Sequence, residues 1–451
     1  MLAGGAFMPA LARVQGAPSR TTPFYASVGS SITLYDLDVE AGSLTPRNTI
    51  QLPSNLQYAW PAPSKRFLYA VTDKEGMGGA DLTAAGLHYG LAFRIDPATG
   101  ALTPHGPKAS LPQRPIHMSL DRTGRFMLTA YNTPSKVTVH RINADGTIGV
   151  EVQQPDNLDF GNYGHQIRLS PSNKVAILVT RGNNPTATRP ENPGAVKVFG
   201  FEDGKLSNIA SLAPGGSGFG FGPRHMDFDP KSRFAYFSLE RNNRLDVYGM
   251  KPDSTLTQEA IFMRSTLRDP NDTHISGQGP GPIHAHPNGR IVYVANRSER
   301  TAEWGGKKVW IGGEDNIAVF SIDQQTGEPT LIQTADTLSI EPRTFAIDPS
   351  MRILVAASQE AMPVLTQDKG AALSMMSAAL TVFRIADGRQ ADLRAQIRRR
   401  HGVLQAGRGT VRRGHPVLVR HAGGGMSETF FFIRLRRIFR RAAGAHAKEA
   451  G

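Results

Sequence analysis

The chain has 451 residues, 39% of them hydrophobic, and no cysteine. It can fill one large core or two ordinary ones, but it can form no disulfide, thiolate metal site or cysteine nucleophile. Its net charge of +13 is unevenly spread: from Arg389 onward 15 Arg and Lys face 3 Asp and Glu, leaving about +1 for the preceding 388 residues. No run reaches the ~18 apolar residues that a membrane helix needs, and 47 Gly and 31 Pro scattered along the chain suit short strands joined by turns.

Taken in order, residues 1–23 begin MLAGGAFMPALARVQGAPSR. Small residues at Ala10-Leu11-Ala12 after an apolar run match the back half of a signal peptide cleaved after Ala12. The basic n-region of such a peptide is missing. On this reading the protein is exported, periplasmic rather than cytoplasmic; the alternative is an unstructured terminus.

From Phe24 to Asp387 two phrases interleave. The first is a strand, a polar turn carrying a basic residue, then an apolar strand. It appears as YAWPAPSKRFLYAV, IHMSLDRTGRFMLTAY, HQIRLSPSNKVAILVT, RHMDFDPKSRFAYFSL, IHAHPNGRIVYVAN and RTFAIDPSMRILVAAS. The basic residues Arg66, Arg125, Lys174, Arg233, Arg290 and Arg352 are spaced 59, 49, 59, 57 and 62 apart. The second phrase is a β-branched strand ending in an aromatic or imidazole ring, anchored at Tyr35, Phe93, His140, Phe199, Tyr248, Phe320 and Phe383. Four strands per unit, seven times over, predict an all-β, seven-bladed β-propeller, and a period of two excludes helical solenoids. The first strand, FYASVG, lacks a preceding hairpin and is expected to complete the last blade.

Four long insertions, Asp73–Tyr89, Gly182–Gly194, Glu299–Asp315 and Glu360–Ala378, each follow the second strand of a repeat, so they emerge on one face. After Asp387 the pattern stops. Residues 388–451 form an Arg-rich tail with neither alternation nor blade phrases, leaving the last blade incomplete or aberrant. A shifted reading frame accounts for its Arg, Gly and Ala; a basic arm or a degenerate blade are the alternatives. Within it, MSETFFFIRLRRIFRRAAG has the spacing of a basic amphipathic helix, with Phe431, Leu435, Ile438 and Phe439 on one side.

The first strand of each blade lines a propeller's channel, and its start projects where the second strand ends. Strand starts bring His165, Arg224, His225, His284 and Arg343 to one mouth; strand ends add Glu240 and Arg297. A carboxylate and imidazoles suit general acid–base work, and arginines suit an anionic substrate. The plainer alternatives are an Arg224–Glu240 bridge bracing one blade and structural histidines. His284-Ala285-His286 puts two imidazoles on one side of a strand, but no third ligand accompanies them and no metal is expected. GxSxG, P-loop and HExxH motifs are absent.

The phrases GPRHMDFDP, FSLERNNRLDVY, YGHQIRLSPSNK, IVYVANR and EPRTFAIDPS are similar to those of the seven-bladed lactonase family. That family includes propeller-type bacterial 6-phosphogluconolactonases and fungal carboxymuconate-lactonizing enzymes. The resemblance runs from about Phe24 to Ala386, and its most specific part is GPRH followed by Glu240 sixteen residues after Arg224. It implies a catalytic set of His165, Arg224, Glu240 and Arg297, with no metal or other cofactor. The substrate it implies is a small anionic lactone of the sugar-acid or muconate kind. Glu240, with His165, is expected to orient and deprotonate water. Arg224 and Arg297 then hold the developing oxyanion, and His225, His284 and Arg343 bind substrate. Activity on this reading depends on ring closure. A propeller that binds a partner through the same face, without catalysis, and a muconate-lactonizing enzyme are the other readings. A narrow pocket around the four residues favours an enzyme, a broad flat face a binder. No nucleic-acid partner is expected for the propeller, and the sequence leaves the oligomeric state open.

Overall fold

Six hairpins share one turn. At residues Ala62, Asp121, Ser170, Asp229, His286 and Asp348 the carbonyl accepts the amide three residues on, and the amide donates to the carbonyl five residues on, at 2.8–3.0 Å. The fourth residue of each turn is left-handed: Lys65, Gly124, Asn173, Ser232, Gly289 and Met351 all have φ between 58 and 72°. Polar side chains at the first position cap the exposed amides. Asp348 accepts from the backbone of Ser350, Arg352 and Ile353 at 2.7, 2.7 and 2.5 Å, and Asp121 does the same for Thr123, Arg125 and Phe126. In three of the six the basic residue that follows lies over the next side chain's aromatic ring: Arg66 over Phe67, Arg125 over Phe126 and Arg233 over Phe234, the last at 5.1 Å.

The computed structural model describes residues 21–74, 88–269, 277–366, 372–386, 390–400, 403–407 and 431–435. The candidate signal segment, residues 75–87 of the first insertion and the remainder of the tail lie outside them. The described strands form seven blade sheets in chain order. Blades 2 to 7 begin with the inner strands Asn55–Pro61, Pro115–Leu120, Gly164–Leu169, Pro223–Phe228, Gln278–Ala285 and Ile340–Ile347. Blade 1 holds Thr22–Val28, Ser31–Asp38 and Ser43–Gln51. Apolar side chains of neighbouring sheets interlock in seven clusters, one for each adjacent pair of blades. The pair formed by blades 7 and 1 is packed like the others: Phe24, Tyr35 and Leu37 meet Ile353, Val355, Leu380 and Val382.

Closure differs from the expectation in detail. The strand Thr22–Val28 heads its own sheet instead of completing the last one, and the innermost place beside it goes to Phe431–Leu435, which runs parallel to it. That stretch is therefore a strand and not an amphipathic helix. The seventh sheet is aberrant by extension: Gln390–Arg400 pairs antiparallel with Ala379–Ala386, and Val403–Gly407 adds a fifth strand. Ladder bonds are made by backbone N–H and C=O groups, so a proline-free run needs no alternation to join an open edge.

The insertions of blades 6 and 7 pair with each other. Thr301–Trp304, Lys307–Trp310, Met362–Thr366 and Ala372–Met376 form a separate four-stranded sheet, joined through Trp310 and Val364. The blade 4 insertion is tethered to blade 5 by an ion pair between Glu191 and Arg241.

Candidate active site

The inner strands carry a bulge where they pass the channel mouth. Register shifts fall at Gln57, His165, Arg224 and Arg343, between pairs that are otherwise continuous. A bulged residue is released from the ladder and its side chain is turned aside. All four line a single cavity of about 240 Å³, whose remaining walls include Tyr58, Ile116, Tyr163, Arg181, His225, Glu240, His284, Arg297 and Glu299. The seven site residues expected from the sequence thus share one cavity.

Position in the repeat explains the set. Counting from the first turn residue, the cavity receives the side chain five residues before it in blades 2, 3, 4, 5 and 7, and the one eleven after it in blades 4, 5 and 6. In blades 4, 5 and 6 the later position is Arg181, Glu240 and Arg297. Arg181 was missed in the sequence although it occupies the same place in LVTR that Glu240 does in FSLE; aligning the repeats residue by residue finds it. Glu299 and Tyr163 were missed because they lie on connections, where no repeat phrase reaches.

Glu240 is the charge centre. Its Oε1 accepts from Arg224 Nε at 3.3 Å and from Arg297 Nη2, and its Oε2 accepts from Arg181 Nε. One carboxylate therefore gathers guanidiniums from blades 4, 5 and 6, which a brace within one blade does not do. Gly281, at the earlier position of blade 6, makes the approach feasible: a methyl there would meet Arg224 Nη1 at 3.1 Å and Arg297 Nε at 3.7 Å. Burial, then the neighbouring Arg343 and Arg181, push Arg224 down to about 9, still cationic at neutral pH. Burial and the same crowding by Arg224 and Arg343 push Arg297 well below its ordinary value. Arg297 Nε and Nη1 are buried with no hydrogen-bond acceptor among the described residues, and Nη1 lies 3.8 Å from Glu299 Oε1.

Three imidazoles are held neutral. Burial, reinforced by Arg224, lowers His165 and His225 well below the usual imidazole value, with His225 adding to the effect on His165 and His117 to that on His225, and burial with Arg168 does the same to His117. The rings of His165 and His225 meet edge to face at 4.9 Å. His225 Nδ1 lies 3.3 Å from Arg224 Nη1, whereas His165 Nδ1 is buried with no partner among the described residues. His284 is divided between the cavity and a support role, with Nδ1 3.4 Å from Asp227 Oδ2 and its ring against Phe345. Burial alone would raise Asp227, but Arg168 and His284 outweigh it and hold the carboxyl at about 2.

Arg343 stands at the other side, bonded to Glu341 and, at 3.2 Å, to Glu299. Burial would raise Glu299, and Arg297 with Arg343 overcome it and lower it. The wall from blades 2 and 3 is different in kind: Gln57, Tyr58 and Ile116 carry no formal charge at neutral pH, and Tyr163 continues it at the edge of blade 4. Tyr58 packs against His117 with ring centroids 4.0 Å apart and planes tilted by 45°.

The paired histidines of blade 6 stand together at the C-terminal end of the strand Gln278–Ala285 but serve different purposes. His286 occupies the first turn position and its Nδ1 accepts from Asn288 N at 3.2 Å, while His284 faces the channel. Among the described residues no group of three His, Cys, Asp or Glu is placed to hold a metal ion.

The family profile described as "Lactonase, 7-bladed beta-propeller" matches residues 19–367. Similar curated proteins include the 6-phosphogluconolactonase of Bacillus subtilis (strain 168), 29% identical over 341 residues, covering 74% of this chain and 86% of that protein. The 6-phosphogluconolactonase of Pectobacterium atrosepticum (strain SCRI 1043) is 31% identical over 323 residues, covering 72% and 83%. Among solved structures, the Pseudomonas aeruginosa periplasmic gluconolactonase PpgL superposes with a TM-score of 0.60 at 21% identity, covering 86% of this chain and 97% of that one.

Proposed function

Since the chain belongs to the seven-bladed β-propeller lactonase family and is a lactone hydrolase, we propose that it opens a sugar-acid lactone bearing an anionic group, without a metal, using His165 as the base. The observation that carries this reading is the buried, neutral His165, which lines the cavity that holds the guanidiniums and whose Nδ1 has no hydrogen-bond partner among the described residues. An imidazole must be unprotonated to act as a base, and the lowered His165 is unprotonated at neutral pH. Glu240 is already occupied on both oxygens by arginines, so its part is to position them and orient water rather than to take the proton first.

Water attacks the lactone carbonyl while the His165 imidazole removes its proton. The carbonyl oxygen becomes an oxyanion, held by the guanidiniums of Arg297 and Arg224 that line the cavity. When the tetrahedral intermediate collapses, the ring C–O bond breaks and the imidazolium returns its proton to the departing alkoxide. The new carboxylic acid ionises, releasing one proton per turnover. Four arginines and two glutamates line the cavity, an excess of positive charge that favours an anionic substrate. Arg343 receives the substituent farthest from the ester, a phosphate in 6-phosphogluconolactone. Tyr58, Tyr163 and Ile116 face the sugar ring.

The test is hydrolysis of gluconolactone and 6-phosphogluconolactone by the full chain, followed against spontaneous opening. Acceleration that is lost in His165→Gln, with the phosphorylated substrate favoured and that preference lost in Arg343→Gln, supports the reading. A chain that binds gluconate yet accelerates neither lactone would turn the argument toward a binding scaffold.

A further inference from the structure

One buried carboxyl outside the cavity has no part in the chemistry above. Asp315 is 7% exposed, just ahead of the strand Asn316–Ile322. Its Oδ1 accepts two backbone amides at 2.9 Å each, from Ser298 at the end of the second strand of blade 6 and from Glu341 on the inner strand of blade 7. Its carbonyl accepts Thr337 N at 3.0 Å and Thr337 Oγ1 at 2.7 Å on the connection between these blades.

The residues so clamped border the site. Ser298 stands between Arg297 and Glu299. Glu341 is held in the left-handed region at φ 60°, and its carboxylate bonds Arg343. A non-glycine residue keeps that conformation only where its surroundings enforce it, and here the enforcing contacts include the Asp315 acceptor. Gln359 Nε2 bonds the other oxygen of Glu341 at 2.8 Å.

We propose that Asp315 is a positioning residue that sets Arg297 against Arg343 across the junction of blades 6 and 7, fixing the anion-binding part of the cavity. This rests on the reading of that cavity as a lactone site. The charged groups facing Asp315 are Glu341 from blade 7 and Asp336 from the outer strand of blade 6, with Glu314 beside it in the chain. Glu314 is turned to Arg268 N and Asn316 Nδ2 instead. Oδ2 is buried with no donor among the described residues. Burial, aided by Glu341 and Asp336, pushes the carboxyl up to about 7, so it gains a negative charge behind the arginines as pH rises through neutrality.

The experiment is calorimetric titration of the full chain with gluconate at pH 6 and pH 8, a range in which gluconate keeps a single charge. Melting curves and gluconolactone turnover are recorded in the same buffers. Wild type should bind gluconate more tightly at pH 6. Asp315→Asn keeps an acceptor oxygen but cannot ionise; it should bind about as tightly at both pH values. Asp315→Ala loses the clamp and should bind about tenfold more weakly, the equivalent of one charged hydrogen bond. It should raise KM for gluconolactone more than it lowers kcat. An Asp315→Asn protein with wild-type pH dependence, or a folded Asp315→Ala protein with wild-type affinity, overturns the proposal. If Asp315→Ala does not fold, the Asp315→Asn comparison decides alone. A wild type that turns over lactone while the variants match it sinks the positioning role only. A wild type that neither binds gluconate nor opens the lactone sinks the cavity reading and this proposal with it.

Discussion

The two ends of the same six hairpins differ. At the turn end the backbone, the left-handed fourth residue and the following basic residue recur in every copy. At the cavity end the backbone geometry also recurs, but the side chains do not. Five residues before the turn stand Gln57, Ile116, His165, Arg224, Gly281 and Arg343. Eleven after its first residue stand Asp73, Asn132, Arg181, Glu240, Arg297 and Gln359. A feature that repeats serves what every blade needs, which is to reverse the chain. A feature that differs from blade to blade at fixed geometry builds something only the assembled ring possesses.

That division predicts opposite signatures for substitutions at the two ends. The largest effect is expected at the cavity end. His165→Gln should lower kcat/KM by about 10²–10⁴-fold, the usual share of general-base catalysis, with little change in melting temperature. Because the imidazole is depressed, wild-type kcat/KM should stay flat as pH falls to the ordinary histidine value of about 6.5 and decline only below it. A pH–rate profile whose acid limb sits at or above that value would remove His165 from the role. Glu240→Gln should cost about 10²–10³-fold by releasing three guanidiniums from their counter-charge, again without unfolding the chain.

At the turn end the expectation reverses. Asp121→Ala strips the cap from three amides and from Asn173 Nδ2 of the next blade, 3.1 Å away. Stability should fall by about 2–3 kcal/mol in denaturant titration, while kcat/KM per folded molecule is unchanged. A further check runs through pH. His117, His165 and His225 are buried neutral, so the unfolded chain binds more protons below about 6.5. The stability they confer is present above that value and is lost as pH falls beneath it, by up to about 1.4 kcal/mol per pH unit for each histidine. His117→Gln should flatten the decline measured between pH 7 and pH 5.

The same division explains what the sequence disclosed. The turn end is written in recurring local phrases, so six hairpins could be read from Arg66 to Arg352, and with the seven ring anchors Tyr35 to Phe383 the blade count, without a structure. The cavity residues were reachable wherever they belonged to those phrases, as Arg224 and Glu240 did. Glu299 and Asp315 were not legible, since an insertion and a long-range backbone clamp leave no local pattern. The tail shows the converse limit: Gln390–Arg400 lacks alternation, yet it joins the seventh sheet because ladder bonds are indifferent to side chains.

The smallest expected effect tests the boundary itself. Gly281 belongs to the cavity end, where its missing side chain is the functional feature. Its backbone is not left-handed, so alanine strains nothing locally, and the stability of blade 6 should be untouched. The added methyl would stand 3.1 Å from Arg224 Nη1 and 3.7 Å from Arg297 Nε, closer to the first than an ordinary carbon contact. Guanidiniums on flexible stems give way by a few tenths of an ångström, so the pair should be displaced rather than expelled. Gly281→Ala should therefore lower kcat/KM by only about fivefold to tenfold, roughly 1 kcal/mol of transition-state binding, and leave the melting temperature in place. If melting shifts while turnover holds, Gly281 belongs with the turns, and the division between the two ends of the hairpin fails at that position.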